Sequence, residues 1–466
     1  MITLRNYQQN GVDNIRNSYL AGFSAPLFVL PTGGGKTVVF CHVAEKTSQR
    51  GKNVLILVHR VELLRQTSKA LTKSGVKHGL INPKYTPDLF APVQVASVQT
   101  LVRRLNRIED PDLIIIDEAH HANAGSWKKI IEAYPNAKIL GVTATPCRGD
   151  GRGLGIDAGG VFDDLVLGPQ IDELIDEGHL VKPIVYAPPK RIDLSDVKIV
   201  RGDYDVTQIS TIVDKPKITG DAVQHYMKLC PGAPAVAFCV SVKHAENVAE
   251  EFRLKGYRAY SVDGSMDDDV RSRILNGLGN GTVDVVTSCD LISEGTDIPA
   301  IGCAILLRPT NSTGLYLQQV GRALRTSDGK SHAIILDHVG NVLNHGLPDD
   351  EREWTLEGKK KRKRKASDDE ENIRVQQCQE CFIVHEPAPK CPSCGFVAPI
   401  RESIPDQVDG ELTKITSEQK KIIKKQRSRE VSKARTFDEL MQIQKERGYK
   451  NGWANFIFKS RNKNLI

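Results

Sequence analysis

The stretch APLFVLPTGGGKTVVFCHVAEKTSQR, residues 25–50, constrains the fold of this 466-residue chain more than any other. A short apolar run leads into three consecutive glycines. A helical pattern then opens on Lys36 and Thr37. Glycines let the backbone turn its N–H groups toward one point, and a helix N-terminus adds a partial positive charge there. Strand, glycine turn and helix in that order specify one βα unit of a parallel sheet with an anion site at the strand end. Taken alone, the turn also reads as a plain connection, since Leu30 stands where G-x-x-x-x-G-K-[ST] has its first glycine.

The pattern repeats. NVLILV, DLIIID and AKILGVTA are further apolar strands, each near an amphipathic helical run. The rhythm restarts at Ala235 with AVAFCV, then VDVVTS, CAILLR and AIILD. Two α/β domains with parallel sheets are expected, over residues 1–150 and 234–346, with 151–233 as linker and start of the second domain. The glycine-rich stretch Cys147–Gly160 reads as the hinge. No short-period repeat is present, which excludes a solenoid.

LIIIDEAH places Asp117 and Glu118 at the C-terminal end of a buried strand, where open α/β sheets hold their chemistry. Adjacent buried carboxylates are costly unless a cation joins them. Asp117 suits Mg²⁺, and Glu118 suits polarising an attacking water. His120 is a candidate for coupling the site to the neighbouring domain. Lys36 would reach the β- and γ-phosphates of ATP, and Thr37 would ligate the Mg²⁺. An acidic helix N-terminus is the plainer reading of DEAH alone; beside the glycine turn, it points to a nucleoside triphosphatase. In QQVGRALR, Arg322 and Arg325 lie three apart, and the spacing predicts one helix face aimed at one anion. An arginine finger supplied across a cleft fits that placement, and an exposed basic face is the alternative.

Beyond residue 358 the composition shifts. The net charge is +7, yet Lys359 to the end holds 25 basic and 15 acidic residues, so the whole positive excess lies there. KKKRKRK and SDDEEN make a charged linker, 359–375. C-x-x-C-x9-C-x-x-C, with Cys378, Cys381, Cys391 and Cys394, then offers four thiolates for one structural Zn²⁺ in a small zinc ribbon or knuckle, 376–397. Two disulfides or a redox pair are the alternatives, and His385 is a bystander. A basic helical tail is expected over 416–466. Thr436 and Glu439 form a capping box there, and Gly448 ends that helix. Trp453, Phe456 and Phe458 form either a small apolar core or a stacking surface for bases. A basic segment of this kind reads equally as a nucleic-acid contact or as a solvated tail, and the zinc module suits DNA, RNA or a protein partner.

The six scattered cysteines read as reduced core residues. No run of 18 apolar residues exists, so no membrane partner is expected. The start, MITLRNYQQN, has no apolar signal core, so secretion is not expected. A cytosolic compartment is expected.

In order and spacing these stretches resemble a superfamily-2 helicase of the DEAD/DEAH-box type, over about residues 1–345. LRNYQQ is similar to the adenine-reading Q motif, which implies roles for Arg5 and Gln8. PTGGGKT resembles motif I, with Thr32, Gly33, Gly34, Gly35, Lys36 and Thr37, and that family commonly lacks the first glycine. LVHRVELLRQ and ASVQTL resemble the strand-contacting motifs Ia and Ib, DEAH motif II, TAT motif III and CVSVKHAENVAEEF motif IV. TSCDLISEGTDIP resembles motif V, which implies Gly295 and Asp297. QQVGRALR resembles motif VI, which implies Gln318, Arg322 and Arg325. Within the superfamily the chain is most similar to RadD-like and type III restriction-subunit-like helicases. Its last residues are similar to phage and prophage members, which implies the cytoplasm of a bacterial or phage-infected cell, with the nucleoid. The resemblance implies two tandem RecA-like domains. It also implies ATP-driven movement on, or unwinding of, DNA in repair, recombination or replication. Single-stranded or branched DNA is the expected partner, with RNA possible. An ATP-gated binding switch, or a translocase that does not separate strands, is the alternative.

Overall fold

The computed structural model describes residues 3–148, 152–188, 194, 196–200, 202–214, 216–289, 301–357, 376–378, 383–385, 388–397, 436–446 and 454. The chain divides into Met1–Ala398 and Pro399–Ile466.

The first unit contains two sheets. The first is built from β1 (Pro26–Val29), β2 (Val54–Val58), β3 (His78–Ile81), β4 (Val93–Ser97), β5 (Leu113–Asp117), β6 (Lys138–Thr143) and β7 (Asp164–Leu167), in the order β3-β4-β2-β5-β6-β1-β7. Every pairing in it is parallel. Residues of β1, β2, β4 and β5 are buried throughout, which is why these strands read as unbroken apolar runs.

The second sheet takes β8 (Lys182–Tyr186), β11 (Ala235–Phe238), β12 (Ala259–Val262), β13 (Val285–Ser288), β14 (Cys303–Leu306) and β15 (His332–Asp337), all parallel. Between β8 and β11 a short hairpin, β9 (Ile199–Val200) and β10 (Asp203–Tyr204), is tied to the end of β14. Asp203 accepts from the Thr310 hydroxyl at 2.9 Å and from the Asn311 N–H at 2.7 Å. Two parallel-sheet domains in tandem are the RecA-like architecture.

Part of the glycine-rich stretch is packed into the first domain. Leu154 and Phe162 are fully buried in the first core, and β7 pairs with β1. A Cβ on Gly160 would sit 2.0 Å from the Leu154 carbonyl oxygen, so this glycine serves close packing rather than bending. The first domain therefore runs past residue 150. The crossing follows it, through the helix Ile171–Asp176, and Val181 then donates to the Leu324 carbonyl at 2.9 Å. After the second sheet the chain returns. Trp354 packs against two apolar clusters, one of them within the first domain, and Gly155 donates to the Leu356 carbonyl at 2.9 Å.

The cysteine hairpin is built into the second domain. Its strands β16 (Gln376–Gln377) and β17 (Ile383–His385) extend the second sheet, with Ile383 opposite Tyr186 and Val384 opposite Val185 on antiparallel β8. Val384 is buried in the same apolar cluster as Val185, so the hairpin covers what would otherwise be an open sheet edge.

In the second unit the helix Phe437–Glu446 starts at the expected capping box. Thr436 donates its N–H to Glu439 at 3.0 Å, and Glu439 donates back to the Thr436 hydroxyl at 3.3 Å. The charged linker, Gly448, Trp453, Phe456 and Phe458 lie outside the described residues. Among the described residues no helix is long and apolar enough to cross a membrane.

Candidate nucleotide and nucleic-acid site

The glycine turn leaves β1 and enters the helix Lys36–Ser48. Gly33 and Gly35 have φ of 91° and 88°, a left-handed backbone that favours glycine. A Cβ on Gly35 would meet the Gln8 amide nitrogen at 2.5 Å, so the cradle is also sterically closed to side chains. The helix Asn6–Leu20 braces it from below. Tyr7 Oη donates to the Gly34 carbonyl at 2.8 Å and Gln8 Nε2 to the same oxygen at 3.2 Å, while Gln8 Oε1 accepts from the Arg5 N–H at 3.0 Å. Tyr7 was not singled out in the sequence; the only available signal was its place within LRNYQQ.

Asp117 ends β5, and Glu118 follows it in a left-handed conformation (φ 49°, ψ 54°), the one non-glycine residue with positive φ among the described residues. That conformation is sparsely populated and costs energy unless its surroundings hold it. Both carboxylates are buried. Burial and then the neighbouring Glu118 push the Asp117 carboxyl up to about 7, against the pull of Lys36. Burial lowers the Lys36 ammonium; Glu118 and Asp117 oppose this, and Arg322 and Arg325 add to it. Five charged groups from two domains thus converge at one place. His120 Nδ1 lies 3.4 Å from Glu118 Oε2 and 3.3 Å from Thr143 Oγ1. Thr143 is in turn bonded to Thr145, so the DEAH and TAT segments are joined directly.

The second domain reaches this place through the helix Thr313–Gly321, whose Ser312 cap accepts from Leu315 at 3.2 Å. Gln318 Nε2 lies 3.5 Å from Glu118 Oε2, across the cleft. A Cβ on Gly321 would fall 2.6 Å from Thr32 Cβ, and one on Gly314 2.8 Å from Thr145 Oγ1. Two glycines one heptad apart therefore let this helix lie directly on the glycine turn and the TAT segment, a contact that sequence spacing did not reveal. The two arginines are not on a helix face. The helix ends at Gly321, Arg322 is its C-cap, and Arg325 forms an isolated antiparallel bridge with Leu180. Arg322 keeps helical dihedrals (φ −66°, ψ −38°) while Arg325 is in the bridge, and both guanidinium groups act on Lys36.

Gly295 and Asp297 lie outside the described residues, as does Cys381. The sulfurs of Cys378, Cys391 and Cys394 lie within 4.8 Å of one another, with Cys378 and Cys394 3.6 Å apart. Burial pushes the Cys391 thiol up, but N–H groups of Cys394 and Ser393 and the two neighbouring thiols outweigh it and hold it down to about 6. A thiolate is the form a soft metal ion binds.

Three comparisons place this geometry. Residues 1–148 match the family model "Type III restriction enzyme, res subunit", and residues 220–327 match "Helicase conserved C-terminal domain". A "51.5 kDa protein" of Lactococcus phage (isolate 7-9) is 34% identical over 396 residues, covering 84% of this chain and 82% of that one. "Putative ATP-dependent helicase IRC3" of Saccharomyces cerevisiae is 33% identical over 358 residues; the match covers 72% of this chain and spans about half of that protein, 51%. In fold, the chain is similar to "ATP-dependent Type ISP restriction-modification enzyme LlaBIII bound to DNA", with a TM-score of 0.56 at 18% identity, over 72% of this chain and 27% of that one. The chain belongs to the superfamily-2 helicases with the character of type III restriction res subunits, and it is an ATP hydrolase.

Proposed function

We propose that this helicase-family protein is a DNA-dependent motor whose domain cleft opens and closes with each ATP. The observation that carries this reading is the convergence of Lys36, Arg322 and Arg325 with Asp117 and Glu118, contributed by two domains. Three cations and two buried carboxylates make an unfavourable cluster alone and a favourable one around a metal-bound polyphosphate. In this reading the N–H groups of Gly33 and Gly35 and the Lys36 ammonium hold the phosphates, while the Gly34 N–H closes the turn on the Pro31 carbonyl at 3.0 Å. Thr37 and Asp117 hold Mg²⁺, which neutralises phosphate charge when bound. Glu118 orients and deprotonates the water. Arg322 and Arg325 face the terminal phosphate, so its release frees the second domain.

The nucleic acid lies along the C-terminal rim of the first sheet beyond the phosphates, where Arg60 follows β2 and Arg103 and Arg104 follow β4. Grip on phosphates makes stepping independent of sequence. A relative named as a helicase and a fold neighbour bound to DNA agree with DNA as the partner, and ATP turnover with each nucleic acid decides between DNA and RNA. A role in repair, recombination or replication follows from such a motor. The test compares ATP turnover with single-stranded DNA, forked DNA and RNA, beside a strand-displacement assay. DNA-stimulated turnover with displacement is expected. Turnover without displacement would leave a pure translocase, and RNA as the better stimulant would overturn the choice of substrate.

We also infer that Cys378, Cys381, Cys391 and Cys394 hold a structural Zn²⁺. Three clustered thiols, one of them acidic, fit a tetrahedral thiolate site with no open position for catalysis. Treating the full chain with a strong chelator should release one zinc per chain, read with a colorimetric zinc indicator, while ATP binding survives. Loss of both together would refute the separation of the metal hairpin from the nucleotide site. Because β17 is a strand of the motor sheet, a drop in melting temperature is expected as well.

A further inference from the structure

We propose that His121 is a positioning residue that ties the nucleic-acid rim to Glu118 through a run of closely packed, tilted imidazoles. The inference deepens the motor reading and rests on its placement of nucleic acid along that rim. Strand β2 lies beside β5, so His59, one residue past β2, stands next to the DEAH segment. The His59 and His121 ring centroids are 4.6 Å apart with planes at 57°, and those of His121 and His120 are 4.1 Å apart at 44°. His120 then meets Glu118 and Thr143. On the outer side the His59 carbonyl accepts from Gln99 Nε2 at 3.1 Å, and Gln99 Oε1 accepts from the Ser97 hydroxyl at 2.9 Å. The loops after β2 and β4 are therefore joined at His59, and a continuous path of packed rings runs from them to the carboxylate.

Glu118 is a group that such a path can steer. Its left-handed backbone is not held by a regular helix, and its carboxylate direction is shared between His120 on its own domain and Gln318 from the other. A strained residue keeps its geometry only while its neighbours impose it. Nucleic acid settling on the rim would shift His59, and His121 would pass that shift to His120. Along this path His121 acts on Glu118 through His120, so its expected contribution is to the response to nucleic acid rather than to the basal site.

His121→Ala should lower stimulation of ATP turnover by single-stranded DNA about tenfold, and leave basal turnover, ATP KM and strand affinity within about twofold. His121→Phe, which keeps a flat ring without the nitrogens, should restore most of the stimulation. Unchanged stimulation in His121→Ala, an equal fall in basal and stimulated rates, or a His121→Phe variant as poor as alanine would each overturn the proposal. Wild-type protein that no nucleic acid stimulates would overturn the motor reading first and this inference with it. Normal wild-type stimulation shared by His121→Ala would sink this inference alone.

Discussion

Glu118→Gln should lower DNA-stimulated ATP turnover by about 10²–10⁴-fold, the usual contribution of a general base, while the protein still binds ATP and the strand. The exchange is nearly isosteric. The amide keeps an oxygen that can accept from Gln318 and loses only the charge and the ability to take a proton. The same change should raise the melting temperature of the metal-free protein. Burial and the Glu118 charge together push the Asp117 carboxyl up to about 7 from its ordinary 3.8. A carboxyl whose folded pKa is raised holds its proton more tightly in the native state than in the unfolded chain. It therefore costs stability as pH rises from about 4, and the cost is complete above about 7. Removing Glu118's charge relieves part of that cost. The gain in melting temperature should be present at pH 8 and shrink as pH falls through about 7 toward 4, where Asp117 is protonated in the folded protein. Steady-state turnover, a fluorescent-nucleotide titration and melting curves at the two pH values read all of this. A variant that hydrolyses ATP normally would remove Glu118 from the chemistry, and one that melts lower at pH 8 would remove the electrostatic account.

The elements legible in the sequence are those whose geometry is local. The apolar runs of β2 and β5 specify buried parallel strands within a few residues. PTGGGKT carries its own turn, since the left-handed positions fall on Gly33 and Gly35. Thr436 and Glu439 cap their helix with atoms three residues apart. What could not be read depends on distant partners. The helix Thr313–Gly321 ends before Arg325, which bridges Leu180 from a distant part of the chain. The cysteine hairpin reads as a separate module because nothing in its spacing shows that Val384 enters the core beside Val185. Gly160 looks like a hinge residue, yet a side chain there would collide with the Leu154 carbonyl. Glycine marks both flexible and tightly packed positions, and only the neighbours tell them apart. The three-histidine run lies between these cases. DEAHH is plain in the sequence, but its contact with His59 comes from strand order.

Arg322→Ala should abolish hydrolysis while largely sparing nucleotide binding. An arginine supplied across a cleft to a transferring phosphoryl group is worth about 10³–10⁵ in rate. Ground-state binding has other sources here: the glycine turn, Lys36 and the helix N-terminus all belong to the first domain. The loss should not act through unfolding. Arg322 is one of two guanidinium groups that work against the charge on Lys36, so its removal relieves a like-charge contact in the nucleotide-free protein. The helix before it stays seated, because Gly321 approaches Thr32 through backbone and not through the arginine side chain. Nucleotide affinity should therefore change by no more than about tenfold, a single charge-assisted contact. Arg322→Lys is the sharper comparison. It keeps the charge and loses the planar fork, so a positional role leaves it nearly as slow as alanine, whereas a purely electrostatic role restores much of the rate. Single-turnover hydrolysis measured beside equilibrium nucleotide binding separates these outcomes. A comparable fall in both quantities would make Arg322 a strut between the domains, and the closing cleft would then need another source for the charge that meets the terminal phosphate.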